Sequence, residues 1–135
     1  MLIAVNFHYI REHFETPYPS IFGVTPKQFE EQIDTLGQVS TFLGTDDIVA
    51  IIEGKKQMPD RATVITFDDG MKEQYEYAWP ILQKKGMPAI FFVNTKPIAD
   101  DFVTITHKIH LIRAYTNPKE LMEQLKKVLK DVGLA

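Results

Sequence analysis

An α/β fold with about four parallel strands and flanking helices follows from three features of the sequence. Short apolar or β-branched runs alternate with segments of helical period, the pattern of parallel strands joined by crossover helices. Polar residues able to do chemistry stand directly after several of those runs, where the carboxyl ends of parallel strands gather. The 135 residues are enough for one real core. A closed (β/α) barrel takes about 250 residues, so the chain accounts for about half of one.

Taken in order, Leu2 to Phe7 reads as the first strand, and Pro17-Tyr18-Pro19-Ser20 breaks the loop after it. Thr25 is placed to cap a helix, with Pro26 at its first position and Gln28 closing a capping box. Phe29, Ile33 and Leu36 share a face of that helix, and Gly37 ends it. Val39 to Leu43 forms a short second strand. Thr45 then caps a helix whose first turn holds Asp46 and Asp47, where the dipole favours carboxylates. That role removes the pair as a rival metal site. Gly54 closes the helix, and Met58-Pro59-Asp60 turns into the third strand, Ala62 to Phe67.

After Gly70 a helix runs to about Lys85, kinked at Pro80 and stopped by Gly86. Ala89 to Val93 is almost wholly apolar, so this fourth strand is expected to be buried on both faces. Asn117 and Pro118 open a last helix reaching about Val132, with Leu121, Leu125, Val128 and Leu129 on one face and Lys126, Lys127 and Lys130 solvated. The whole, 1–135, reads as one partial domain: core βα units over 1–95 and a helical extension over 96–135.

Composition narrows the function. With 44% hydrophobic and 24% charged residues the chain is globular, and a net charge of −3 argues against a nucleic-acid groove or a membrane surface. The absence of cysteine excludes disulfides and thiolate metal sites. Met1-Leu2-Ile3-Ala4-Val5 is apolar but lacks a basic flank and ends at Asn6, so it reads as strand rather than signal peptide. If Met1 is the true start, a cytoplasmic location is expected. No run approaches the roughly 18 apolar residues of a membrane span.

Thr66-Phe67-Asp68-Asp69-Gly70, at the end of the third strand, is where chemistry concentrates. Adjacent carboxylates can divide a task, one holding a divalent metal while the other takes a proton from the water that metal polarises. The plain alternative is a solvated Asp-Gly turn. Strand order places three polar groups at one end of the sheet: His8, the pair Asp68 and Asp69, and Asn94 with Thr95. Trp79 and Phe91 nearby read as core.

The pentapeptide resembles the first motif of the polysaccharide deacetylases, carbohydrate esterase family 4 with the NodB-homology fold. Three further stretches resemble the branch acting on poly-N-acetylglucosamine and related surface glycans. They are Asn6-Phe7-His8-Tyr9, Val24-Thr25-Pro26-Lys27-Gln28-Phe29-Glu30-Glu31-Gln32-Ile33, and Tyr75-Glu76-Tyr77-Ala78-Trp79-Pro80-Ile81-Leu82 followed by Gly86-Met87-Pro88-Ala89-Ile90-Phe91-Phe92-Val93. Order and spacing match over about the first 95 residues. The resemblance implies the N-terminal half of a distorted (β/α) barrel and a metal-dependent carbohydrate N-deacetylase, a hydrolase of linear amide bonds. Its substrate would be an acetylated amino-sugar glycan. Asp68 would be the catalytic base and Asp69 a ligand of a divalent metal, zinc first, with cobalt, nickel or iron as alternatives. His8 and Asn94 become candidate substrate contacts, His8 being otherwise a satisfied strand-end histidine.

In that family a second motif, His-Ser/Thr-x-x-His, completes the metal site. His107-Lys108-Ile109-His110 departs from it: the spacing is i, i+3, Lys108 follows the first histidine, and the interval from Asp69 is short. His107, His110, Leu111 and Ala114 instead make an ordinary helical stripe, so metal ligation by His107 or His110 is disfavoured. The segment from about Lys96 resembles an insertion before the second motif. The isolated chain is therefore expected to bind metal weakly, to have little activity, and to self-associate through open sheet edges. Two other classes compete. One is a non-catalytic glycan-binding or assembly module of the same fold; the other is a phosphoryl-accepting receiver domain, which places its acidic pair after the first strand instead.

Overall fold

A computed structural model describes residues 1–15 and 23–134. The expected break at Pro17-Tyr18-Pro19-Ser20 lies outside the described residues. The strands are β1 (Leu2–Phe7), β2 (Tyr9–Ile10), β3 (Gly23–Val24), β4 (Thr41–Phe42), β5 (Ala62–Phe67) and β6 (Ile90–Phe91). Between and after them run α1 (Pro26–Gly37), α2 (Thr45–Ile52), α3 (Trp79–Lys85), α4 (Lys96–Asp100), α5 (Ile105–Tyr115) and α6 (Pro118–Asp131). All strand pairs among the described residues are parallel.

β5 is the axis of the fold. It pairs with β1 along its whole length, Leu2 opposite Ala62 through Phe7 opposite Phe67. On its other side β4 pairs with its start and β6 with its end. Its run Ala-Thr-Val-Ile-Thr-Phe is buried on both faces, which is why it reads as a β-branched run without charged residues rather than an alternating one. Ile65 and Phe67 join Phe7, Phe29, Ile33 and Leu82 in the main core, facing α1 and α3. Ala62 and Val64 point the other way, onto Leu43, Ile48 and Ile51, so α2 covers the opposite face.

The start of α1 is as expected. Thr25 Oγ1 accepts from Gln28 N at 3.2 Å while Thr25 N donates to Gln28 Oε1 at 2.9 Å, and Pro26 takes the first position. Lys85 Nζ, at the end of α3, reaches Asp34 at 2.7 Å and Glu30 at 3.0 Å on α1, and these two bonds raise its pKa. The helices 105–115 and 118–131 bury no residue completely. No helix among the described residues is long and apolar enough to cross a membrane.

Four details differ from the sequence reading. The second strand shrinks from Val39–Leu43 to Thr41–Phe42, because Val39 N and Ser40 N still donate to Leu36 O in the last turn of α1. Gly44, not Thr45, caps α2: its N–H donates to Asp47 Oδ2 at 2.9 Å, which confirms the capping use of that aspartate. The helix after Gly70 is not simply kinked at Pro80. Residues Gln74–Ala78 form a π turn in which Trp79 N–H bonds Gln74 O. Pro80 has no N–H to give Glu76 O and its ring presses on that carbonyl, so the wider turn absorbs the misfit. Finally, the fourth strand is only Ile90–Phe91 and half-buried, with Phe92 and Val93 exposed, because among the described residues β6 has a strand neighbour on one side only.

Candidate active site

The parallel register of β1 and β5 sets Asn6 opposite Thr66 and Phe7 opposite Phe67. The residues just beyond, His8 and Asp68, are thereby brought side by side at the carboxyl ends of both strands. Asn6 Nδ2 donates to Asp68 Oδ2 at 2.8 Å, and Thr66 Oγ1 donates to Asn6 Oδ1 at 3.1 Å, which fixes the amide orientation. His8 Nε2 stands 3.7 Å from the same Asp68 oxygen. Asp68 Oδ1 makes no hydrogen bond among the described residues, and the carboxylate is open to solvent.

Asp69 takes the left-handed region, φ 77°, and Gly70 follows at φ 65°. This reversal turns the Asp69 carboxylate away from Asp68 and toward α5, where Asp69 Oδ2 lies 3.2 Å from His107 Nε2. Thr104 caps α5, accepting from His107 N at 3.3 Å, and its hydroxyl lies 3.1 Å from His107 Nδ1. One proton arrangement satisfies all three contacts: Thr104 donates to Nδ1, and Nε2–H donates to Asp69. Three residues on, His110 Nδ1 meets the Tyr9 hydroxyl at 3.0 Å. Burial, then the nearby His107, lowers the His110 pKa, while burial raises that of Tyr9, so a neutral imidazole accepts from a protonated phenol. The stripe His107, His110, Leu111 and Ala114 is half-buried as expected, but it covers the site rather than merely packing.

The glycine of the motif is needed for space as well as for its backbone angle. A Cβ on Gly70 would lie 2.8 Å from Val93 Cγ1 and 3.3 Å from Val93 Cα. Gly70→Ala is therefore expected to lower stability by about 1–3 kcal/mol, combining left-handed strain with a clash against Val93, two residues beyond β6. Gly86, φ 62° with open space around it, supplies the comparison: Gly86→Ala should cost about 1 kcal/mol, from strain alone. Urea unfolding of both variants measures the difference.

Of the residues singled out in the sequence, Asp68, Asp69 and His8 converge. Asn94 follows β6, exposed, and among the described residues makes no hydrogen bond to either aspartate. An open hollow of about 530 Å³ lies beside the aspartates rather than over them, lined by Asn6, His8, Tyr9, Val24, Gln32 and His110. Asn6 and Tyr9 received no role from the sequence beyond their place in the stretch Asn6-Phe7-His8-Tyr9 at the end of the first strand.

The donor set fits a divalent metal only in part. Catalytic zinc usually has three protein ligands. Asp69 and His107 offer two donor side chains, and among the described residues no three His, Cys, Asp or Glu side chains form a group able to hold an ion.

Comparison with known proteins bears on the family and the fold. A family model described as polysaccharide deacetylase matches residues 55–132. The poly-beta-1,6-N-acetyl-D-glucosamine N-deacetylase of Staphylococcus aureus is 29% identical over 134 residues, covering 92% of this chain and 44% of that protein. Among solved structures, IcaB from Ammonifex degensii is 28% identical with a TM-score of 0.53, over 67% of this chain and 37% of that one. A de-N-acetylase from Aggregatibacter actinomycetemcomitans shares the fold at 21% identity and TM-score 0.59, over 67% of this chain and 36% of the other. The chain thus spans less than half the length of the curated relatives it matches over most of its own length.

Proposed function

This chain belongs to the polysaccharide deacetylase family, and on that premise we propose that it supplies the base-bearing part of a metal-dependent enzyme that removes N-acetyl groups from an amino-sugar polysaccharide. The observation that carries the reading is the Asp68 carboxylate, held at one oxygen by Asn6 with His8 beside it and open at the other, while the next carboxylate faces a histidine. A β-1,6-linked poly-N-acetylglucosamine is the substrate class favoured, from the name of the Staphylococcus aureus relative.

The two aspartates divide the work because Asp69's left-handed backbone points them in different directions. Asp68, oriented through Oδ2, receives at Oδ1 the proton of the water that attacks the acetamide carbon. Asp69, with His107 in the tautomer that carries its proton on Nδ1 and donates it to Thr104 Oγ1, and with donors from outside these residues, would hold the divalent ion. When bound, that ion supplies Lewis-acid polarisation of water and carbonyl. His8, half-exposed beside Asp68, would touch the sugar, and Asn94, exposed after β6, is the second candidate contact. Because the donor set is partial, residues 1–135 alone should hold metal weakly and release little acetate.

Acetate release from β-1,6-linked N-acetylglucosamine oligomers by the protein as it occurs tests the reading. Release that a chelator abolishes is the expected result. Retention of the glycan with no acetate released under any divalent metal would instead point to a binding module.

A further inference from the structure

The strand ends that carry His8 and Asp68 are held together by more than the sheet. The last backbone link between them is Asp68 N to Phe7 O, already long at 3.3 Å. Beyond it one buried side chain spans the gap. Gln74, 1% exposed, donates from Nε2 to His8 O at 2.9 Å and to Asp68 O at 2.6 Å. An amide nitrogen has two hydrogens, so both are used, and a flipped amide would face two carbonyls with an oxygen. Its Oε1 is left buried with no hydrogen-bond partner among the described residues. Leaving a buried acceptor unmet destabilises, so this amide is poorly explained as a stability device and well explained as a spacer. Its neighbour Glu73 reinforces the link, accepting from Ile10 N at 3.2 Å and Arg11 Nε at 2.6 Å.

Gln74 opens the π turn, and it and Ala78 are both buried. We propose that Gln74 is a positioning residue for the base: it fixes the separation of His8 and Asp68, and with it the hydrogen bond and close approach that orient the Asp68 carboxylate. The inference rests on the reading of Asp68 as base.

Gln74→Met, which keeps length without donors, and Gln74→Glu, which keeps shape, test it in the protein as it occurs. Well below each variant's unfolding temperature, kcat for acetate release should fall on the order of 10- to 100-fold, because a misplacement near 1 Å has that effect, with KM within about twofold since Gln74 is too buried to touch glycan. Hydrogen exchange should quicken at the amides of Asp68 and Ile10 and stay unchanged at Ala4 and Val64. Unchanged kcat in both variants, or exchange that quickens uniformly across the sheet with kcat per folded molecule retained, would overturn the proposal. Asp68→Asn, assayed beside them, separates the two ideas: if it keeps full activity the base reading falls and takes the positioning role with it, whereas loss there with none at Gln74 removes the positioning role alone. Should Gln74→Met fail to fold, Gln74→Glu carries the comparison.

Discussion

Asp68→Asn is expected to lower kcat for deacetylation by about 10²–10⁴-fold, the range for removing a positioned general base. The substitution is nearly isosteric, and its amide oxygen can still accept from Asn6 Nδ2, so the β1–β5 end should keep its shape. What it cannot do is take a proton at the position now occupied by Oδ1. KM should change little, since the loss appears only in the transition state. Steady-state acetate release together with a melting curve checks both halves. Activity within threefold of wild type, in a folded variant, would move the base to another residue. His8 would be first in line, since its Nε2 already stands 3.7 Å from the carboxylate.

Much of the scaffold was legible in the sequence because local physics decided it. Thr25-Pro26-Lys27-Gln28 is a capping box in sequence and in space, since its reciprocal hydrogen bonds link residues three apart. The register of β1 on β5 pairs two six-residue strands, largely apolar or β-branched, along their whole length, and it carries His8 to Asp68. Where the sequence reading fell short, long-range contacts decided. Ala89 to Val93 has the composition of a central strand, yet among the described residues β6 has a strand neighbour on one side only. Pro80 announced a kink, but a π turn absorbs it, and the bonds made by its first residue, Gln74, go to carbonyls six and 66 positions away.

The histidine pair is the most instructive case. Spacing alone gave His107 and His110 a packed helical face, and that face exists. Nothing local could reveal that it lands on Asp69 and Tyr9, 38 and 101 residues away. The signal that could have pointed there is the cap at Thr104, a hydroxyl three residues before His107 that starts α5 and holds the ring by Nδ1. A histidine oriented from behind in this way, with its other nitrogen on a carboxylate, is a more constrained group than a stripe residue.

Phe67→Ala should have the largest effect on stability, about 3–5 kcal/mol for a fully buried aromatic. Phe67 is 0% exposed and meets three other rings. It stacks on Phe91 at 4.5 Å between centroids and leans on Phe7 and Phe29, each at 5.8 Å. Those partners come from β6, β1 and α1, so the cavity would loosen three elements at once rather than one. Against a typical domain stability of about 5–15 kcal/mol, such a loss leaves a chain close to unfolding at room temperature. Phe92→Ala, at an exposed position one residue beyond β6, is the control and should stay within about 0.5 kcal/mol. Urea unfolding of the pair checks the contrast, and a Phe67→Ala loss under about 1 kcal/mol would mean that the core closes over the gap, contrary to the rigidity of packed interiors. The same ring precedes Asp68 in the chain, and its carbonyl anchors Phe92 N at 2.7 Å. A milder change, Phe67→Leu, should therefore reduce acetate release by more than its stability loss accounts for, because the residue that fills the core also sets where the base begins.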